Sequence, residues 1–264
     1  MGRCFLYWCP YTFRMPTIAV VIPCRNDAAL LDRCLASFDV QTRPADAVVV
    51  VDNGSTDASA DTARAHGAEV VAEPCRGITW AGAAGYDRAA QLGADIIVRT
   101  DADAHVPPDY LAVLESLWHC AGPDVVGVTG PAEFDGVPAV VSRAYLGAYR
   151  YSVGSALGHP PLFGTNCSFR ARWWVSVRET LDLADTRVHD DMQLSFAVRP
   201  GETVLFVPGL VVGMDPRALR GGRQLVTRFR RGWHSMMRGF ATSPPWRRLP
   251  GRWAISGPSV GAAQ

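Results

Sequence analysis

In the stretch Ile96-Ile97-Val98-Arg99-Thr100-Asp101-Ala102-Asp103, two carboxylates follow directly on an apolar run. Ile96-Ile97-Val98 has no polar alternation and reads as a buried strand. In extended backbone, residues two apart point to the same side. Asp101 and Asp103 therefore converge on one point past the strand's carboxyl end, and Val106-Pro107-Pro108 opens a helix directly afterwards. Two aspartates this close are often only a solvated loop. At the mouth of a buried strand, however, they can hold a hard divalent cation and the phosphates it carries. Asp103 is then a ligand for Mg2+ or Mn2+ bridging a diphosphate, and Asp101 holds a ribose hydroxyl or the metal through water. His105 is either a further ligand or an ordinary loop histidine.

The same grammar extends in both directions. Strands are expected at Ile18–Ile22, Ala47–Val51, Glu69–Ala72, Ile96–Thr100 and Val125–Thr129. Between the first two, Leu30, Leu31, Cys34, Leu35 and Phe38 recur at helical spacing, with Asn26 or Asp27 as N-cap. Further helices are expected over Asp57–His66, Ile78–Leu92 and Pro107–His119. Strands alternating with helices in this way predict a doubly wound α/β domain with a mostly parallel sheet. In such sheets ligands sit outside the carboxyl ends of the strands. Downstream, helices are expected at Ala139–Leu157, Ala171–Glu179 and Val188–Val198, and strands at Gly164–Arg170 and Val204–Val207.

Bulk properties narrow the class. The chain has 264 residues, 48% hydrophobic and 19% charged, which suits one large α/β domain or a domain plus an appendage, either with a full core. No apolar run approaches the roughly 18–20 residues that cross a bilayer. Seven cysteines without a C-x-x-C pair favour reduced, mostly buried thiols in the cytoplasm over a disulfide framework or a zinc site. Lysine is absent, and ten arginines with no acid lie between Arg217 and Arg252. That basic end suits phosphates or an anionic membrane surface. Residues 1–15 read as a leader or a misplaced start, with Met15 directly before the first convincing strand. Residues 16–130 read as one half of the domain, 131–215 as the second half, and 216–264 as a basic amphipathic helix with an irregular tail.

Two more acidic clusters repeat the opening pattern. Asp52-Asn53-Gly54-Ser55-Thr56-Asp57 follows a strand, and ordinary turn chemistry with Ser55 or Asp57 as cap explains it in isolation. Asp190-Asp191 begins a helical run, where two acids are favourable first-turn charges. One of them could equally be a general base for an acceptor hydroxyl. From Arg223 to Phe240, residues Leu225, Val226, Phe229, Trp233, Met236, Met237 and Phe240 share one helical arc, and the arginines lie outside it. Such a helix packs on its own domain with a basic outer face, or lies on a bilayer interface; nucleic-acid binding is the weakest reading.

Taken together, Val20-Val21-Ile22-Pro23-Cys24-Arg25-Asn26, Val51-Asp52-Asn53-Gly54-Ser55-Thr56-Asp57, Arg76-Gly77-Ile78 with Ala83-Ala84-Gly85, and Thr100-Asp101-Ala102-Asp103 resemble inverting family-2 glycosyltransferases of bacterial type and GT-A fold. Gly164-Thr165-Asn166-Cys167-Ser168-Phe169-Arg170 is similar to that family's acceptor-side strand. His189-Asp190-Asp191-Met192-Gln193-Leu194-Ser195 is similar to its Glu-Asp-x-Asp-Leu helix start. The similarity spans roughly residues 17–215.

The resemblance implies a GT-A, Rossmann-like α/β fold with an acceptor-side extension and a nucleoside-diphosphate sugar donor based on UDP, GDP or dTDP. It implies that Pro23, Arg25, Asp52, Asn53, Arg76 and Asp101 surround the nucleotide, and that Asp103, with Asp101, holds Mn2+ or Mg2+. Asp191 would be the catalytic base, although Asp190-Asp191 replaces the usual Glu-Asp and leaves open which of the two it is. Processive members carry Gln-x-x-Arg-Trp and then membrane spans. Here Arg228-Phe229-Arg230-Arg231-Gly232-Trp233 matches only loosely and no span follows, which implies a non-processive enzyme, cytoplasmic, with any membrane contact peripheral through Arg223–Phe240. Two other classes fit less well. A nucleotidyltransferase calls for a glycine-rich loop after the first strand, and an oxidoreductase for G-x-G-x-x-G there; Pro23-Cys24-Arg25-Asn26-Asp27 has no glycine. A non-catalytic sugar-nucleotide-binding or scaffold protein would have no need of Asp103 and Asp191 together.

Overall fold

A computed structural model describes residues 14–219 and 222–244, without the side chains of Ala218 and of residues 222–229. The leader expected over residues 1–15 lies almost entirely outside the described residues, as does the tail after Pro244. Elements run in the order β1 (Ile18–Cys24), α1 (Ala28–Asp39), β2 (Ala47–Asp52), α2 (Ser59–Ala65), β3 (Glu69–Ala72), α3 (Ile78–Gln91), β4 (Ile96–Arg99), β5 (Ala104–His105), α4 (Tyr110–Cys120), β6 (Val125–Thr129) and β7 (Ala132–Phe134). There follow α5 (Ala139–Leu157), β8 (Cys167–Arg170), α6 (Ala171–Val177), α7 (Asp190–Ala197), β9 (Thr203–Phe206), β10 (Val212–Met214), a 3-10 turn (Pro216–Leu219) and α8 (Gly222–Thr242).

Seven strands form one sheet in the order β3-β2-β1-β4-β8-β6-β9. All neighbours are parallel except β8, which runs antiparallel between β4 and β6. This is the mostly parallel α/β sheet expected. Alternate residues of β1 show why no polar face exists. Ile18, Val20, Ile22 and Cys24 pack in the core under α1, α2 and α4, while Ala19 and Val21 pack in the core under α3 and α6. Both faces are covered, so period-2 alternation of apolar and polar residues has no place. Helix α3 lies so close to the sheet that a Cβ at Gly85 would fall inside van der Waals contact of Val21 and Val51.

Some expectations need correction. A second sheet, β5-β10-β7, was not anticipated. Neither Asn26 nor Asp27 caps α1 through its side chain. The first amide of α1, Ala28 N–H, instead donates to Asp57 Oδ2 at 3.1 Å, a carboxylate from the neighbouring turn. Cys24, Cys34 and Cys167 are buried as expected, but Cys75 and Cys120 are exposed. Among the described residues no helix is long and apolar enough to cross a membrane.

Helix α8 packs against α7. Met236 and Phe240 meet Met192 and Phe196, and the Phe196 and Phe240 rings cross edge to face at 5.7 Å. Arg231 donates to the carbonyls of Thr186 and Val188 just ahead of α7, and Arg238 Nη2 reaches Asp182 at 2.6 Å. Trp233 and Met237 are left exposed. The residues of the expected apolar arc before Arg230 lie outside the described side chains.

Candidate active site

The carboxyl ends of β1, β2 and β4 bring three turns side by side. In the first, Asn26 adopts a left-handed φ of 54°, and its Oδ1 accepts the Thr56 N–H at 2.7 Å. Pro23 is buried opposite Val51, and Arg25 is exposed just beyond it. In the second, half-buried Asp52 accepts the Ser55 N–H at 2.9 Å. Asn53 is buried and its amide is fully engaged. It donates to the carbonyls of Glu73 and Cys75, at 2.9 and 2.7 Å, and accepts from Gly77 N–H at 2.9 Å. Asn53 thus clamps the loop that carries exposed Arg76 rather than presenting a free amide.

The third turn holds the aspartate pair, and two arginines divide it. Arg99, only 3% exposed, donates from Nη1 to Asp101 at 2.8 Å and from Nη2 to Asp190 at 3.1 Å. Although burial opposes it, Asp101 and Asp190 hold this guanidinium charged. A Cβ at Gly164 would collide with the same guanidinium, so glycine is required there for Arg99 to fit. The second oxygen of Asp101 accepts the Thr165 hydroxyl at 2.6 Å. Asp103 is buried and accepts Arg217 Nε at 2.7 Å. Burial, and then the charge of Asp101, raise its carboxyl to about 6 even with Arg217 beside it. Arg217 also forks onto both oxygens of Asp27, at 2.6 and 2.9 Å. His105 is aimed elsewhere, packed over Gly213 and 3.6 Å from Asp135.

Asp190 and Asp191 open α7 but differ in their surroundings. Asp190 is 8% exposed and committed to Arg99; burial pushes its carboxyl up while Arg99 pulls it down. Asp191 accepts the Gly164 N–H on Oδ2 at 3.2 Å, and its Oδ1 is buried without a partner. The Tyr149 hydroxyl lies beside it, also without a hydrogen bond of good geometry: after burial, the charge of Asp191 is the strongest influence raising that phenol, and a side-chain contact with Asp191 adds to it. Ser195 Oγ donates to the Asp191 carbonyl at 2.7 Å and accepts Leu162 N–H at 2.9 Å, tying α7 to the strand-side loop. A cavity of about 160 Å3 is lined by Tyr149 together with Pro131, Leu146, Phe163, Phe206 and Arg150.

A turn-borne acid pair, a first-turn acid with an orphan oxygen and a covered parallel sheet together invite comparison with known proteins. The glycosyl transferase family 2 pattern matches residues 19–172, more than half of the chain. The chain belongs to that family. No curated protein matches it significantly in sequence. Solved structures share the fold. A mannosyltransferase from Pyrobaculum calidifontis, in complex with GDP-Man and Mn2+, is 22% identical over 92% of this chain and 74% of that one, with a TM-score of 0.58. Glucosyl-3-phosphoglycerate synthase from Mycobacterium tuberculosis with UDP is 21% identical over 89% and 87%, with a TM-score of 0.61. The same synthase with Mn2+ and UDP-Glc is 24% identical over 81% and 76%, at 0.56.

For this glycosyltransferase, reading the sequence in isolation overlooks the partners that organise the acids. Arg99 had one visible signal, a charged residue at the end of an otherwise apolar strand. Arg217 was one among ten clustered arginines, and nothing local set it apart. Asp27, Thr165 and Tyr149 join the site only through the fold.

Proposed function

We propose that this glycosyltransferase moves one sugar from a nucleoside-diphosphate donor to an acceptor hydroxyl in a single displacement that inverts the anomeric carbon. The observation that carries the reading is the unpartnered, buried Oδ1 of Asp191. A carboxylate oxygen left unpaired costs desolvation energy unless a ligand completes it. An acceptor O–H does so: Asp191 takes the proton while the acceptor oxygen bonds to the anomeric carbon and the diphosphate oxygen leaves. Asp190, spent on Arg99, is a positioning residue in this scheme. The acceptor approaches along the cavity beside Tyr149, and the donor nucleotide lies over Pro23, Arg25, Asp52 and Arg76. Asn53 acts at one remove, by holding the Arg76 loop.

A divalent cation fits the donor set. Among the described residues no three His, Cys, Asp or Glu side chains gather into a metal cage. Mg2+ and Mn2+ sites built with substrate phosphates need only one or two carboxylates. Asp103 would hold the ion, with the free acceptor capacity of Asp101 toward it or the ribose. When bound, the ion supplies Lewis-acid charge stabilisation to the departing diphosphate.

The test is a thermal-shift panel of UDP-, GDP- and dTDP-sugars, each with and without Mn2+. One nucleotide class should raise the melting temperature by several degrees, and more with Mn2+ than without. No shift with any of them would contradict the donor assignment. A peripheral membrane contact is a separate proposal, favoured by Trp233 at 57% and Met237 at 41% exposure on α8. Flotation with anionic liposomes should weaken in Trp233→Ser; equal flotation of both proteins would remove the contact.

A further inference from the structure

Two guanidinium groups hold the acids of the site in unlike settings. Arg99 is buried and fixed between Asp101 and Asp190. Arg217 has a side chain 40% exposed, and it spans Asp27 and Asp103, which come from the turns after β1 and β4. Its backbone is stitched to the same place. Arg217 N–H donates to Asp215 Oδ1 at 2.8 Å, and Asp215 N–H donates to the Asp103 carbonyl at 3.0 Å. Any cation that uses the Asp103 carboxylate must contend with a permanent positive charge already on it, since a guanidinium does not deprotonate in proteins.

We propose that Arg217 is a tethered counter-ion that occupies Asp103 in the donor-free enzyme and must release it before a divalent cation can bind there. The proposal rests on Asp103 being the carboxylate under the donor diphosphate. Arg217 has two unequal grips: a bidentate fork on Asp27 and one Nε bond to Asp103. Letting go of the weaker grip leaves the side chain anchored on Asp27. The free edge of the guanidinium can then turn to phosphate oxygens, which its planar fork matches. Without donor, Arg217 neutralises Asp27 and Asp103, the two acids of the cluster that Arg99, bonded to Asp101, does not contact. Metal and sugar nucleotide would therefore load together, with little ion bound beforehand. Arg217 is a positioning residue here, acting through Asp103.

The test is Mn2+ binding to the full-length, nucleotide-free protein, read from the paramagnetic resonance of free Mn2+. Arg217→Gln should bind Mn2+ at least about tenfold more tightly than wild type, because an adjacent like charge is removed. The double variant Arg217→Gln with Asp103→Asn should lose that gain. Arg217→Lys, which keeps the charge but cannot span both carboxylates, should fall between, and it decides the matter if Arg217→Gln fails to fold. Wild-type binding that needs Asp103 but is unchanged in the Arg217 variants would overturn the counter-ion role and leave the Asp103 assignment standing. Binding that ignores Asp103→Asn, or none in any variant, would overturn both.

Discussion

Asp190 and Asp191 are chemically alike and adjacent, yet the fold gives them different surroundings through one arginine and one glycine. Arg99 takes Asp190, and the Gly164 amide takes one oxygen of Asp191 and leaves the other. Arg99→Met would strand two carboxylates against a buried methionine. Removing one partner from a buried ion pair costs about 3–5 kcal/mol, so urea denaturation should show a loss of that order. A loss under 1 kcal/mol would mean that the pairs are better solvated than their burial indicates. Asp190→Asn should reduce turnover less than Asp191→Asn does. The reverse order would exchange their roles. The candidate residues themselves were legible in the sequence, because turn acids after apolar strands are local patterns. The partners that tell them apart were not, since Arg99 and Asp190 are 91 residues apart and Arg217 and Asp27 are 190 apart.

At the scale of elements, the strands and helices of the first half of the chain follow from periodicity, and the structure moves their ends by a few residues. Helix α3 depends on Gly85, and Gly85→Ala should destabilise the protein by about 1–3 kcal/mol through overpacking against Val21 and Val51. A smaller change would show that the helix can lift off the sheet cheaply. Helices α1 and α2 are joined by His66, whose ring contacts Asp39 at 2.6 Å and Asp32 at 3.0 Å. The bond to Asp32, and then that to Asp39, raise its pKa above 6.5 despite some burial. Because the folded-state value is the higher one, the stabilisation is complete below about pH 6.5 and fades as pH rises through the folded value. His66→Ala should therefore cost about 0.5–1 kcal/mol more in acid than in alkali. A cost independent of pH would contradict the pairing. The small sheet escaped sequence reading for a physical reason. Its strands have 2 or 3 residues, too few to show a period, and exist only because β10 returns from far along the chain to pair with β5 and β7.

Across the whole molecule, one sheet carries turns at the carboxyl ends of β1, β2 and β4, and Arg99 at the end of β4 links the last of them, through Asp101, to Asp190 at the start of α7. The proposed acceptor route is the cavity lined by Tyr149, Phe163 and Phe206. Gly147 lines that cavity, and a Cβ there meets nothing within 4 Å. Gly147→Trp should slow transfer to the acceptor by about tenfold or more while leaving donor affinity unchanged. The most direct measurement of the central claim compares Asp191→Asn with wild type in two assays: release of nucleoside diphosphate from the donor that the panel identifies, and the dissociation constant for that donor. With Asp191 as base, turnover should fall by about 10²–10⁴-fold and the dissociation constant should stay within about threefold. Retained turnover would rule Asp191 out as the base, and lost donor binding would place it in the nucleotide site; either result contradicts the mechanism.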